Sequence, residues 1–262
     1  MDADPKTLEL DKDAPRRSMQ RLVREFLDAR CMDCMELMAD TPDGHFDLAI
    51  VDPPYGIGWD REHKTMKEAS SARWKTPSKK DRYEAKEWDA DRPSPKYFAE
   101  LRRVSKRQIV WGGNYFGDLP PSGGWVIWRK GVAEGMTLGE GEMAWTNANN
   151  SLRFIDLLWA GFRKCEAVER IHPTQKPVKL YAWLLENYAK PGDRILDTHM
   201  GSGSIAIACH YARLHLTACE IDEDYFKAAC ARIERETAQE SFIFPNVGDE
   251  GCGASGSDTS ST

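Results

Sequence analysis

No stretch of the 262-residue sequence approaches the roughly 20 consecutive apolar residues that a membrane helix needs, so a soluble chain is expected. The opening MDADPKTLELDKDAPRRS has neither the charged-then-apolar build of a secretory signal nor the Arg-rich, acid-poor build of a transit peptide, which predicts a cytoplasmic protein. A disulfide framework is also missing: the seven cysteines are odd in number and scattered through apolar stretches (Cys209, Cys219, Cys230), as reduced and mostly buried thiols are. Cys31 and Cys34 have C-x-x-C spacing, but no second pair or His cluster answers it, and no metal is assigned. Nor is there an excess of positive charge. A net charge of −6 argues against a protein that coats nucleic acid non-specifically. Basic residues do gather at Arg73–Arg82, Arg102–Arg107 and Arg163–Lys164, and each cluster taken alone reads as a solvated face.

The length suits one sizeable α/β domain and is too short for two independent enzymes. Residues 245–262 are rich in Gly and Ser and predict a disordered tail, residues 1–20 predict a flexible N-terminus, and residues 21–244 are expected to fold as one body without internal repeats. Within that body, short apolar runs bounded by turn signals predict strands at Phe46–Asp52, Gln108–Trp111, Trp125–Trp128, Glu142–Thr146, Arg194–Asp197 and His215–Glu220. Helical patterns fit Cys34–Ala39, Pro95–Val104, Pro177–Ala189, Ser204–Ala212 and Asp224–Arg235. Such alternation predicts a largely parallel sheet with helices on both faces and ligands bound beyond the carboxyl ends of the strands.

Two constellations fall at predicted strand ends. The first is Asp52-Pro53-Pro54-Tyr55, where two prolines stiffen the turn after the apolar run FDLAIV. Methylating an aromatic amine requires drawing a delocalised lone pair toward tetrahedral geometry, and two acceptors on the two N–H bonds achieve that. The Asp52 carboxylate and the Pro53 carbonyl supply such acceptors, the carboxylate also stabilises positive charge developing on nitrogen, and Tyr55 offers a ring for stacking a flipped base. An isolated Asp-Pro turn is more often only a cap and a strand terminator; four residues in this order after an apolar strand are more specific. DPPY resembles motif IV of the amino-methyltransferases that act on adenine N6 or cytosine N4, and its Asp resembles the adenine branch.

The second constellation is RILDTHMGSGSIAIAC followed by HLTACEID. Asp197 ends a strand, Gly201-Ser202-Gly203 lets the backbone approach a ligand closely, and a helix begins with free amides. Glu220 ends the next strand, where a carboxylate can bind ribose hydroxyls. These residues alone fit an NAD pocket or a plain strand-to-helix turn equally well. The intervening Ile171–Pro177, IHPTQKP, completes a likeness: with D-x-x-x-G-S-G it is similar to motifs X and I of the beta-class enzymes, in which the catalytic motif precedes the cofactor motif.

That resemblance implies a Rossmann-like methyltransferase fold with a mostly parallel, seven-stranded sheet in this circularly permuted order. It implies S-adenosylmethionine as cofactor and double-stranded DNA as substrate. Thr174 and Lys176 map near the methionine carboxylate, and Asp33 near the cofactor's adenine. Residues 59–93 become a catalytic or DNA loop and residues 147–170 a target-recognition segment, whose shortness suggests a homodimer on the duplex. One departure is Asp197-Thr198-His199 where the family commonly has Asp-Pro-Phe; His199 is expected to be a pocket wall. An NAD-dependent oxidoreductase leaves DPPY unexplained, and a decayed, non-catalytic fold sits badly with intact Asp52, Tyr55, Gly201 and Glu220.

Overall fold

The computed structural model describes residues 8–10, 20–58, 89, 91–132, 139–160, 163–165 and 169–238. Most of the expected 59–93 loop and the whole 245–262 tail lie outside the described residues.

In chain order the strands are β1 (Leu8–Leu10), β2 (Gln20–Arg24), β3 (Leu27–Cys31), β4 (Leu48–Val51), β5 (Gln108–Trp111), β6 (Gly124–Arg129), β7 (Gly141–Thr146), β8 (Leu152–Asp156), β9 (Trp159–Ala160), β10 (Arg163–Lys164), β11 (Arg194–Asp197) and β12 (His215–Glu220). The α-helices are α1 (Cys34–Ala39), α2 (Pro95–Val104), α3 (Val178–Tyr188), α4 (Ser204–Ala212) and α5 (Glu223–Thr237). Ten strands form one sheet in the order β1-β2-β3-β12-β11-β4-β5-β7-β6-β8. The five central strands from β3 to β5 are mutually parallel, and the antiparallel β7 links β5 to β6. Seven strands from β3 to β6 thus make the expected core, with three more at its edges.

The added strands fall in two segments that the sequence did not mark as strands. Leu8–Leu10 and Gln20 pair in a β1–β2 hairpin, although residues 1–20 read as loose. Leu152–Asp156, inside the 147–170 segment read as a candidate target-recognition segment, runs parallel to β6 as the edge strand β8. Phe154 and Leu152 remain more than half exposed there, so β8 lacks the buried apolar run by which the central strands were legible.

Helices cover both faces because the apolar runs of β4, β5 and β11 are buried on both sides and divide their side chains between two cores. Ala49, Val51, Val110 and Leu196 meet α1 and α2 through Leu37, Met38, Tyr97, Phe98 and Leu101. Leu48, Ile50, Ile109 and Ile195 meet α3, α4 and α5 through Leu180, Leu184, Ile205, Ala229 and Ile233. Each fully buried side chain of this size contributes about 1.5–3 kcal/mol.

Strand order then positions the site. β11 and β12, from the C-terminal half, insert between β3 and β4, which are sequence neighbours. Ile195 pairs with Leu48 and Leu196 with Ala49, so the turns after β4 and β11 lie side by side at the same sheet edge. By contrast the Arg102–Arg107 cluster leads into the amino end of β5. Its side chains hold the fold together: Arg103 bonds Asp43, Glu100 and the carbonyls of Met38 and Thr41, Lys106 bonds Asp47, and Arg107 bonds Asp193 and the Tyr188 carbonyl.

Candidate functional site

The Asp52–Tyr55 turn is fixed from three directions. Asp89, itself buried, accepts hydrogen bonds at one carboxylate oxygen from the amides of Tyr55 (2.8 Å) and Gly56 (2.9 Å). Arg92 Nε donates to the Tyr55 carbonyl at 3.2 Å. The Tyr55 ring stacks on Tyr115, with centroids 5.1 Å apart and planes 15° from parallel, meets Phe116 edge-on, and lies close against Gly112. Gly112 has a φ of +68°, and a Cβ there would stand 2.2 Å from the ring. Only glycine permits both that backbone and that approach.

Tyr55 Oη donates to Asp52 Oδ1 at 2.7 Å. Burial, reinforced by the Asp52 charge, pushes the phenol well above its usual range, so it stays protonated and donating. The other carboxylate oxygen, Oδ2, accepts from the Lys176 ammonium, which lies 3.1 Å from Glu142 Oε2 as well. Lys176 is almost entirely buried. Burial alone would lower its pKa, but Asp52 and Glu142 outweigh it and hold it raised. Glu142 behaves in reverse: burial opposes its ionisation, yet Lys176 and Lys130 bring it down to about 2. Lys130 Nζ sits 2.5 Å from Glu142 Oε1. The indole of Trp111 completes the lysine's surroundings at 5.3 Å.

These groups border a cavity of about 420 Å³ lined by Asp52, Pro53, Pro54, Tyr55, Thr174 and Lys176, together with Asn114, Tyr115, Lys130 and Glu142. The structure therefore brings the DPPY turn and two residues of HPTQKP to one cavity. Lys176 carries a specific finding. Rather than standing free for a ligand carboxylate, it is paired with two protein carboxylates. Thr174 has its hydroxyl 3.2 Å from His172 Nδ1.

The remaining expected residues line the neighbouring strand ends. Gly201 and Gly203 both have positive φ, and a Cβ on Gly203 would press on Ile233 at 2.8 Å. Glu220, 9% exposed, bridges two loops by accepting from the amides of Gly201 (2.9 Å) and Asp222 (3.0 Å). Ser202 points its hydroxyl inward to Ser204 Oγ, and buried Arg232 donates to the Ser202 carbonyl and to Ser204 Oγ. Asp197 is buried at the end of β11, and burial lifts its carboxyl to about 8. Asp33 caps α1, accepting from the Met35 amide at 2.7 Å, while the Met32 amide donates to the Glu220 carbonyl and keeps the β3 turn beside β12.

The departure at Thr198-His199 is an internal network. Thr198 Oγ1 joins Tyr97 Oη (2.6 Å) and His199 Nδ1 (2.9 Å), and the His199 ring packs edge-on against Tyr97. Burial lowers His199 to about 4, so it is neutral at pH 7. Sequence reasoning missed Asp89, Glu142, Lys130 and Gly112. Only Glu142 left a signal, as a lone carboxylate in an otherwise apolar predicted strand.

A DNA methylase family model for the N6/N4 enzymes matches residues 142–231, from β7 through most of α5. YubD of Escherichia coli (strain K12), which carries the name of a methylase, is 26% identical over 211 residues, covering 77% of this chain and 87% of its own. The type II methyltransferase M2.DpnII of Streptococcus pneumoniae is 32% identical over 81 residues, 30% of each chain. Among solved structures, the M1.HpyAVI–SAM complex superposes with a TM-score of 0.51 at 17% identity, covering 79% of this chain and 99% of that one, a likeness of fold. The sheet sets the DPPY turn beside the glycine loop, and over residues 142–231, which include that loop, the chain is similar to the N6/N4 family of DNA methylases.

Proposed function

We propose that the protein transfers a methyl group from S-adenosylmethionine to the N6 amine of an adenine flipped out of duplex DNA. The observation that carries this reading is that Asp52 and Pro53 line the same 420 Å³ cavity, with the Tyr55 ring fixed beside them. Asp52 and the Pro53 carbonyl accept the two N–H bonds of the amine and draw its lone pair out of conjugation, and the carboxylate stabilises the positive charge that nitrogen acquires. Pro54 stiffens the turn, and Tyr55 presents the stacking surface. Neutral His199 takes no proton, consistent with an attack that needs no general base.

The donor set at the neighbouring strand ends fits the cofactor. Glu220 has acceptor capacity beyond its two amide bonds for ribose hydroxyls, Asp33 lies at the adjacent strand end, and Gly201, Ser202 and Gly203 give close backbone approach beside Asp197. Thr174 and Lys176 lie between this loop and Asp52. When bound, S-adenosylmethionine supplies an electrophilic methyl group. The acidic first residue of DPPY supports adenine over cytosine N4, which is the alternative within the family.

The test is to incubate the protein with labelled S-adenosylmethionine and duplex DNA of mixed sequence, digest the DNA and identify the labelled nucleoside. N6-methyl-2′-deoxyadenosine is expected; N4-methyl-2′-deoxycytidine would transfer the same site to the other base, and label on neither would refute the reading.

A further inference from the structure

In the chemistry proposed above Asp52 accepts from the target amine; its Oδ1 already carries the Tyr55 hydroxyl and its Oδ2 the Lys176 ammonium, each oxygen keeping a lone pair, but the two partners differ in charge. The ammonium is the partner that has to yield, because a cation held against a nitrogen that is becoming positive opposes the reaction. Lys176 is only 4% exposed, so it has no route to water and would be left as an uncompensated buried charge. The structure contains a destination. Glu142 Oε2 is buried and already ion-paired with the same Nζ at 3.1 Å, with no other partner among the described residues, while Oε1 is held by Lys130. A second buried carboxylate oxygen thus already stands within reach of an ammonium that has three donors to place. The Trp111 ring flanks the ammonium in its present position.

We infer that Glu142 is a positioning residue that takes over the Lys176 ammonium when the target amine takes Asp52, an inference that rests on the methyl-transfer reading of this site. Its register on β7, opposite Trp128 of β6, fixes the carboxylate at the cavity wall independently of the catalytic turn. Lys176 then guards Asp52 in the empty enzyme and withdraws by a short swing without leaving the pocket.

The test compares single-turnover methylation of duplex DNA by wild type, Glu142→Gln, Lys176→Met and the double variant, with cofactor and DNA affinities measured separately. Glu142→Gln keeps the side-chain volume and removes the charge. Its turnover should fall about 10- to 100-fold with both affinities within about twofold of wild type. Adding Lys176→Met should bring turnover to within about threefold of Lys176→Met alone, since no ammonium is left to receive. Undiminished turnover in Glu142→Gln, a loss that persists in the double variant, or a loss confined to cofactor affinity would each overturn the inference, the last by making the cofactor's carboxylate the receiver. A crystal structure of the wild type with S-adenosylhomocysteine and a target duplex reads the same point without a variant: Nζ bonded to Glu142 supports it, and Nζ still on Asp52 refutes it. A wild type that methylates no duplex would instead refute the proposed function.

Discussion

Replacing Gly112 by alanine perturbs the catalytic turn without touching any of its side chains. A Cβ at this position would lie 2.2, 2.5 and 2.7 Å from three carbons of the Tyr55 ring, where ordinary contact begins at 3.4 Å, so the ring has to retreat by roughly 1 Å. It cannot do so freely. Its backbone amide is held by Asp89 and its far face rests on Tyr115, which leaves rotation of the ring away from Asp52 and loss of the 2.7 Å hydroxyl bond. The left-handed backbone adds about 1–2 kcal/mol for any residue with a Cβ. Together with the displaced ring, the loss of stability should reach about 2–3 kcal/mol, a fall in melting temperature of about 4–12 °C for a chain of this size. A displacement of about 1 Å at a reacting group lowers turnover roughly 100-fold. The assay is methyl transfer to duplex DNA at saturating cofactor, beside a thermal melt and cofactor calorimetry. Gly117→Ala is the control, since nothing lies within 4 Å of a Cβ there. Wild-type turnover in Gly112→Ala would refute the idea that the exact seat of Tyr55 matters.

Tyr55→Phe keeps the ring and removes a buried hydroxyl from Asp52, so turnover should fall by about tenfold, less than in Tyr55→Ala; equal losses in steady-state assays would mean that stacking contributes nothing. Glu220→Ala should weaken S-adenosylmethionine binding by about 1.5–3 kcal/mol in calorimetry, and because the carboxylate also ties Gly201 to Asp222, a modest drop in melting temperature should accompany it. The His199 pKa is depressed in the fold from 6.5 to about 4 by burial, so the stability it contributes is present above pH 6.5 and is lost as pH falls toward 4. Against wild type, His199→Asn should therefore show a shallower decline of melting temperature across that window, and an unchanged slope would contradict the assignment.

Much of this was legible because apolar runs at β4, β5, β11 and β12 are buried on both sides, a pattern that survives without knowledge of partners. The turns after β4 and β11 were legible as well, since proline and glycine impose backbone shape locally. What stayed hidden depends on tertiary partners. β2 and β3 alternate weakly and carry Arg21, Asp28 and Arg30, whose charges are neutralised by one another across the hairpin. Asp89 lies 34 positions after Tyr55, and nothing local marks it as the acceptor for that residue's amide. Gly112 reads as an ordinary glycine after a strand, and its role exists only because Tyr55 arrives against it. For Lys176, a motif marked the side chain for a ligand carboxylate, but its partners are protein carboxylates from β7 and from the β4 turn.

The most direct test of the account is Asp52→Ala, assayed for methyl transfer to duplex DNA and for S-adenosylmethionine binding on the same preparation. Asp52 is assigned to the target amine and Glu220 to the cofactor. The account predicts no detectable transfer with cofactor affinity within about threefold of wild type. Near-normal transfer, or a loss explained wholly by failure to bind cofactor, would contradict it.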